Sequence, residues 1–183
     1  SLAACGGKST TETTQAAAET TAAAESSAAE TTAEADGFNL AVCLASEPQT
    51  MDPALNSTVD GAIMTQHMFE GLAKYVNDGN GNAQIVAGQA ESWEKVVNDD
   101  GTVTYTFKMR PDAKWSDGQK VTAGDFEYSW KRLANPQTAA DYTYMIDMVK
   151  GYETVADGSA EPDTLGIKAV DDKTLQIDLS YDC

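Results

Sequence analysis

Paired carboxylates are the side chains of this 183-residue chain that could perform acid–base chemistry. In such a pair, one carboxyl group donates a proton while its neighbour accepts one. The candidates are Asp99-Asp100, Asp171-Asp172, and Asp112 with Asp117. Each lies at a predicted turn, where Asp is favoured because its side chain bonds to nearby backbone. We therefore interpret these carboxylates as turn residues.

The rest of the sequence offers no catalytic arrangement. His67 is the single histidine, and the sequence has no Ser/His/Asp grouping, no Cys/His spacing for a metal and no Gly-rich phosphate loop. We therefore predict that the protein is not an enzyme and has no catalytic residue, metal site or cofactor.

Cys5 is the residue whose context predicts a covalent modification. The run Leu2-Ala3-Ala4-Cys5, followed by two glycines, resembles a bacterial lipobox. In that motif the signal peptide is cut before the cysteine, whose thiol carries a diacylglycerol. We interpret residues 1–8 as the lipobox and lipid attachment region; the alternative is an Ala-rich start without a role. Because the chain begins with Ser1, without a basic or long apolar region before the motif, we expect it to begin inside or after a signal peptide.

Residues 9–36 predict a disordered spacer. They contain Ala, Thr, Glu and Ser with one Gln and one Asp, and they lack aromatic, branched apolar and basic residues. Such a segment cannot bury enough apolar surface to offset the entropy of ordering. The alternative is an Ala-rich helix, since Ala and Glu are good helix formers.

The net charge of −17 disfavours nucleic acid as a partner. No stretch of sequence is long and apolar enough to span a membrane, so attachment is expected through the lipid on Cys5 alone. Cys43 lies in an apolar run, and we predict a buried small hydrophobe there. Cys183 is the last residue, and we expect it to mark a truncation.

The elements that position these residues begin with a predicted buried strand at 38–44 and a Pro-rich loop at 46–53. A helix is predicted over 59–70, capped by Ser57 or Thr58, with an apolar stripe that includes Ile63 and Met68.

Two hairpins are predicted, and in the first of them apolar and polar residues alternate over 102–109. One joins 92–98 to 102–109, and the other joins 166–170 to 173–179. Between them, a helix is predicted over 123–133 with a cap at Thr122. A further helical stretch is predicted over 140–155, with a break at Gly151. A turn is predicted at 78–82. The mixture predicts an α/β or α+β fold.

Several long motifs closely resemble the oligopeptide-binding lipoproteins of ABC importers, members of the extracellular solute-binding protein family 5. They are GQAESWE at 88–94, DGTVTYTFKMR at 100–110, AKWSDG at 113–118 and VTAGDFEYSWKR at 121–132. Shorter matches are MDP at 51–53, MFEGL at 68–72 and LGIKAVDDKTL at 165–175. The likeness covers nearly all of residues 38–181.

This resemblance implies an α/β, periplasmic-binding-protein-like fold of type II, with two lobes and an extra subdomain, of which only the N-terminal third is present. It implies that 37–58 begin lobe one, that 59–150 form the extra subdomain, and that 151–183 return to lobe one and are truncated. The second lobe, which holds the acidic group that pairs with the peptide's amino terminus, would be absent.

The conspicuous aromatic residues are predicted to form one core rather than a ligand platform. They are Trp93, Tyr105, Phe107, Trp115, Phe126 and Trp130.

By resemblance, Ser57, Thr58, Val59 and Tyr142 match ligand-contacting positions. Family members often carry an acidic residue where Ser57 stands, so this position departs from the pattern. Two alternatives stay open: Ser57 and Thr58 only cap the helix, and Tyr142 is a partly buried core aromatic.

The resemblance implies capture of oligopeptides outside the membrane and delivery to ABC permease subunits. The protein is expected to be monomeric and lipid-anchored to the cell membrane, in the periplasmic space if the organism has an outer membrane. One alternative keeps the class but changes the ligand to a dipeptide, nickel chelate, signalling peptide or cell-wall peptide. Another is a surface adhesion or scaffold lipoprotein.

Overall fold

The computed structural model describes residues 40–182, and all features below lie within 42–182, which form one unit. The elements in chain order are α1 (Val59–Met68), β1 (Ala73–Asn77), β2 (Ala83–Ala87), β3 (Ala90–Val97), β4 (Val103–Met109), α2 (Ala123–Ala134), α3 (Tyr152–Ala156), β5 (Ile167–Asp171) and β6 (Thr174–Leu179). Short 3-10 helices cover Pro136–Thr138, Thr143–Ile146 and Pro162–Thr164. None of the helices described here is both long and apolar enough to cross a membrane.

A four-stranded antiparallel sheet in the order β3-β4-β6-β5 carries the core. Val103, Tyr105 and Phe107 on β4 lie opposite apolar partners on β6. Since opposed residues point to the same face, they form one apolar surface, on which α2 packs. Residues of the other face are polar, and Thr104 donates a hydrogen bond to Asp178 across it at 2.9 Å. Both predicted hairpins are confirmed, and the alternation predicted for 102–109 places its apolar residues on one face of β4.

Helix α2 begins after the N-cap Thr122, as the sequence predicts, and Asp125 completes a capping box with it. Asp125 Oδ2 accepts hydrogen bonds from the backbone N–H of Thr122 at 2.7 Å and from its hydroxyl at 3.1 Å. Farther along, Glu127 accepts the backbone N–H of Ala169 on β5 at 2.7 Å. Because β5 is the edge strand, this bond satisfies a donor that the sheet ladder does not use.

Helix α1 starts where the sequence predicts but ends earlier. It stops at Met68 because Phe69 takes an extended conformation, with φ −122° and ψ 152°. The apolar stripe predicted for this helix is not buried among the described residues, since Ile63 is 38% and Met68 47% exposed. Gly61 is its buried position.

The first predicted strand is wrong over the residues that the structure describes. Residues 42–44 form no strand, and Val42 is 71% exposed. A strand needs a neighbour to satisfy its backbone groups, and none within 42–182 pairs with this segment. Cys43, predicted to be buried, is exposed for the same reason.

The long helical stretch predicted over 140–155 is also wrong. It is replaced by the 3-10 helix Thr143–Ile146 and by the short α3. Gly151 lies between them with φ +82°, a left-handed conformation that a right-handed helix cannot include. The predicted break at this glycine is therefore confirmed.

Two of the aromatic residues predicted for the core lie at its margin. Trp93 is 36% and Trp115 42% exposed, whereas Tyr105, Phe107, Phe126 and Trp130 pack against the core. Trp93 belongs to β3, the edge strand farthest from the two strands that α2 contacts. Alternation places its ring on the core face, but nothing in the described chain covers it fully.

The hairpin formed by β1 and β2 was not predicted, although the turn at 78–82 was. Its strands are exposed along most of their length, so they lack the alternation that predicts a strand. The turn is built by Asp78, whose carboxylate accepts the backbone N–H groups of Asn80 at 2.7 Å and Asn82 at 3.1 Å.

The predicted boundary between the extra subdomain and lobe one lies after residue 150. Strands β4 and β6, which lie on opposite sides of that boundary in the sequence, pair in the four-stranded sheet. The subdomain boundaries stay a prediction. Cys5, the spacer at 9–36 and Cys183 lie outside the described residues.

Candidate functional site

The segment that precedes α1, residues 50–58, is organised around Asp52, and we call it the Asp52 loop. The Asp52 carboxylate accepts the N–H of Ala54 at 3.0 Å, and its backbone carbonyl accepts those of Leu55 at 3.2 Å and Asn56 at 3.0 Å. Thr50 accepts the N–H of Asp52 itself at 3.1 Å. The Asp-Pro pair therefore begins a tight turn, as its composition predicts.

Asn56 connects this turn to the start of α1. Its side-chain oxygen accepts the N–H of Thr58 at 3.3 Å and the Thr58 hydroxyl at 3.2 Å, and its amide donates to the Thr58 carbonyl at 3.2 Å. A Cβ at Gly61 would lie 1.8 Å from Asn56 Oδ1. Glycine at position 61 therefore provides the space that the Asn56 side chain occupies.

Thr58 is the N-cap of α1, because its hydroxyl accepts the N–H of Gly61 at 3.3 Å. That hydroxyl also donates to Asn56, so its hydrogen is already engaged. The predicted cap at Thr58 is confirmed, whereas a ligand contact at this residue, and the alternative that it only caps the helix, both stay predictions.

Ser57 and Val59 present unused backbone donors on either side of the cap. Neither N–H group meets an acceptor among residues 40–182, and the Ser57 hydroxyl likewise has no partner there. Ser57 is half-buried, and Val59 is 77% exposed. This edge of the Asp52 loop can donate main-chain hydrogen bonds to an extended ligand.

Arg132 of α2 holds the Asp52 loop from outside, and the sequence reasoning missed it. Its guanidinium donates two hydrogen bonds to the Asp52 carboxylate, from NH1 to Oδ1 at 2.8 Å and from NH2 to Oδ2 at 2.5 Å. The bond from Arg132 holds the pKa of Asp52 below its usual value, against the raising effect of burial. Because the partners are 80 positions apart, no local spacing in the sequence could have revealed the pair.

Tyr142 lies apart from the Asp52 loop, and no contact between the two is found among the described residues. It precedes the 3-10 helix Thr143–Ile146, is 45% exposed, and meets the Tyr144 ring edge-on at 5.8 Å between ring centres. It is therefore an exposed aromatic residue more than a core residue. Helix α2 supports both places, since it contacts this 3-10 helix and binds Asp52 through Arg132.

One carboxylate of each candidate acid–base pair serves a turn instead. Asp100 accepts the N–H of Thr102 at 3.0 Å and its hydroxyl at 2.6 Å, and the hydroxyl bond holds the pKa of Asp100 below its usual value. Asp171 and Asp117 likewise accept the N–H two residues on, at 2.7 and 2.9 Å. Within 40–182, no three His, Cys, Asp or Glu residues gather as a metal site would require.

Comparison with known proteins identifies the family. Residues 84–182 match the family model described as bacterial extracellular solute-binding proteins, family 5 Middle. The chain belongs to this family.

Three relatives show how far the likeness extends. The periplasmic oligopeptide-binding protein OppA of Escherichia coli is 41% identical over 137 residues, which is 74% of this chain and 24% of that protein. The periplasmic murein peptide-binding protein MppA of E. coli is 37% identical, over 81% of this chain and 26% of that protein. The solved complex of Haemophilus influenzae OppA with RPPGFSPFR has 38% identity and a TM-score of 0.64, over 73% of this chain and 25% of that chain.

The chain therefore has the fold of the part of the type II periplasmic binding proteins that it matches, as the resemblance implies. It spans about a quarter of the length of the curated relatives it matches.

Proposed function

We propose that the full-length gene product is the substrate-binding component of an ABC importer, which captures oligopeptides outside the membrane and delivers them to a permease. The observation that carries the proposal is the start of α1, where the free N–H groups of Ser57 and Val59 flank a backbone fixed by Asp52 and Asn56. Family membership and likeness to proteins named for oligopeptide binding support it.

The ligand contacts in this proposal are Ser57, Thr58, Val59 and Tyr142. The first three contribute mainly backbone groups, which bind an extended peptide without regard to its sequence. Tyr142 contributes an exposed ring and a hydroxyl, which suit contact with a peptide backbone.

The proposal extends to the location and partners of the protein. A diacylglycerol on Cys5 tethers it to the outer surface of the cell membrane, and residues 9–36 serve as the spacer. It works as a monomer that meets the permease subunits in its ligand-bound form. No step of this cycle is catalytic, and neither a cofactor nor nucleic acid takes part.

A cell-wall peptide is the second candidate ligand, because the similarity to the murein peptide-binding protein covers 81% of this chain. The same main-chain contacts would hold such a peptide, so the two candidates differ in the side-chain pockets that the rest of the protein supplies.

The test is peptide binding by the full-length gene product, measured by calorimetry with a mixed oligopeptide pool and a muropeptide pool. Tyr142→Ala is expected to weaken binding about tenfold, because an aromatic contact carries much of a binding site's energy. Tyr75→Ala is the control, since Tyr75 is an equally large side chain on β1 that is 75% exposed. Equal affinity of the wild type and Tyr142→Ala would remove Tyr142 from the site. Absence of saturable binding to both pools would contradict the proposed function.

A further inference from the structure

Arg132 lies near the end of α2, a helix that packing against the core holds in place. Its neighbour Ala134 is 1% exposed, Leu133 packs against the core, and α2 contacts both β5 and β6. The backbone of Arg132 is therefore fixed by burial, whereas the Asp52 loop has no regular secondary structure of its own.

The contact between them restrains orientation as well as distance. The two nitrogens of the planar guanidinium each meet a different oxygen of Asp52, at 2.8 and 2.5 Å. Such a forked pair fixes the plane of the carboxylate, which a single ammonium cannot do. The side chains of Arg132 and Asp52 are 32% and 30% exposed, so solvent weakens the pair only in part.

From Asp52, the restraint passes along the loop by consecutive hydrogen bonds. The carboxylate oxygen Oδ1 that accepts from Arg132 also accepts the N–H of Ala54, and the backbone carbonyl of Asp52 accepts that of Asn56. The Asn56 side chain then binds Thr58 at three points. An unbroken series of contacts thus connects Arg132 to the backbone beside Ser57 and Val59.

We propose that Arg132 and Asp52 are positioning residues for ligand binding, which hold the Asp52 loop in its binding conformation before a ligand arrives. A loop that is already ordered loses less conformational entropy on binding, so its affinity is higher. The ligand part of this inference rests on the proposed function; the restraint on the loop does not.

The first measurement is amide hydrogen exchange in the unliganded full-length gene product. In Arg132→Gln, exchange within 54–58 is expected to rise about tenfold at the four hydrogen-bonded amides, those of residues 54, 55, 56 and 58, because a partly exposed charge-assisted pair is lost. Arg132→Lys keeps the charge without the fork and is expected to fall between the wild type and Arg132→Gln. Lys131→Gln is the matched control, since Lys131 is the adjacent cation of α2 and binds Glu127 and Asp163 instead.

The exchange data separate a local restraint from a general effect on folding. Unchanged exchange at 54–58 in Arg132→Gln would overturn the inference. An equal rise in β4 and β6 would also overturn it, because the pair would then stabilise the whole unit rather than the loop.

The second measurement is affinity for the oligopeptide pool. Arg132→Gln is expected to bind about tenfold more weakly, with partial recovery in Arg132→Lys and less than a twofold change in Lys131→Gln. Faster loop exchange with unchanged affinity would show a structural role only and overturn the positioning role. If the wild type binds no peptide, the proposed function fails, while the exchange data still decide whether Arg132 restrains the loop.

Discussion

The four-stranded sheet and the Asp52 loop with α1 are held by different kinds of interaction. In the sheet, Val103 and Leu175 are fully buried on one apolar face, and α2 packs against β5 and β6. In the loop and α1, large apolar side chains stay exposed, Val59 at 77% and Met68 at 47%, and the structure depends on backbone N–H groups that donate hydrogen bonds to Asp52 and Asn56.

This difference predicts how far the effect of a substitution will extend through the structure. Burial is shared by every residue that packs on the same face, so a loss in the sheet spreads through it. Hydrogen bonds are directional and join particular atoms, so a loss in the loop stays near those atoms. The loop can therefore vary in shape while the four-stranded sheet stays intact.

The largest expected effect comes from Leu175→Ala on β6. Leu175 is 0% exposed and lies opposite Phe107, so its removal leaves a cavity at the centre of the core face. We expect a loss of about 3 kcal/mol in the free energy of opening for β4, β5 and β6 together, measured by hydrogen exchange in the full-length gene product.

Ile85→Ala on β2 is the control for that substitution, because Ile85 is 54% exposed. It is expected to change the same free energies by less than about 0.5 kcal/mol. If the two substitutions cost the same, or if Leu175→Ala affects β6 alone, the contrast between shared burial and local bonding is wrong.

The same contrast explains what could be predicted from the sequence. Val103, Tyr105 and Phe107 alternate with polar residues because one face of their strand is buried, and that pattern predicts the hairpin. Thr122 and Asp125 predict the start of α2 because a cap is a local feature.

Other features depend on contacts that sequence spacing does not encode. The run at 42–44 is apolar like a buried strand, but no described strand pairs with it. Trp93 alternates correctly and yet is 36% exposed, because α2 lies over the far strands of the sheet. Arg132 reaches Asp52 across 80 positions, and only the fold brings the two together.

Gly61 near the start of α1 and Gly124 near the start of α2 should behave differently when replaced by alanine. One substitution is expected to lower the stability of its helix and the other to raise it. In an open helix position, Gly→Ala is stabilising because alanine loses less backbone entropy. At Gly61, however, the new Cβ would lie 1.8 Å from Asn56 Oδ1, whereas at Gly124 the nearest atom, Thr122 Oγ1, is 3.4 Å away. We expect Gly61→Ala to cost about 1–2 kcal/mol and Gly124→Ala to contribute about 0.5 kcal/mol.

Each effect is measured by hydrogen exchange within its own helix, residues 59–68 or 123–134. For Gly61→Ala, faster exchange should extend back to residue 54 but not into β4, since Asn56 is displaced while the core is untouched. Slower exchange in α1 of Gly61→Ala would mean that Asn56 does not occupy the space beside Gly61.

The smallest expected loss of stability tests a polar contact inside the packed region. Burial alone would raise the pKa of Glu127, but the hydrogen bonds from Lys131 at 2.6 Å and from the Ala169 N–H at 2.7 Å lower it below its usual value of 4.5. Because the folded-state pKa is the lower one, the ionised carboxylate contributes stability above about pH 4.5. That contribution is lost as the pH falls through the folded-state value.

Glu127→Gln keeps an oxygen for the Ala169 N–H but removes the charge, so we expect a loss of about 1 kcal/mol at pH 7 that disappears in acid. Exchange of β5 amides, followed from pH 7 downward, measures the difference between the two proteins. If directional bonds act locally even where burial dominates, the loss will appear at β5, beside Ala169, and leave β4 unchanged. If β4 and β5 lose stability equally, then how far an effect spreads depends on where the interaction lies in the fold, and not on whether it is burial or a hydrogen bond.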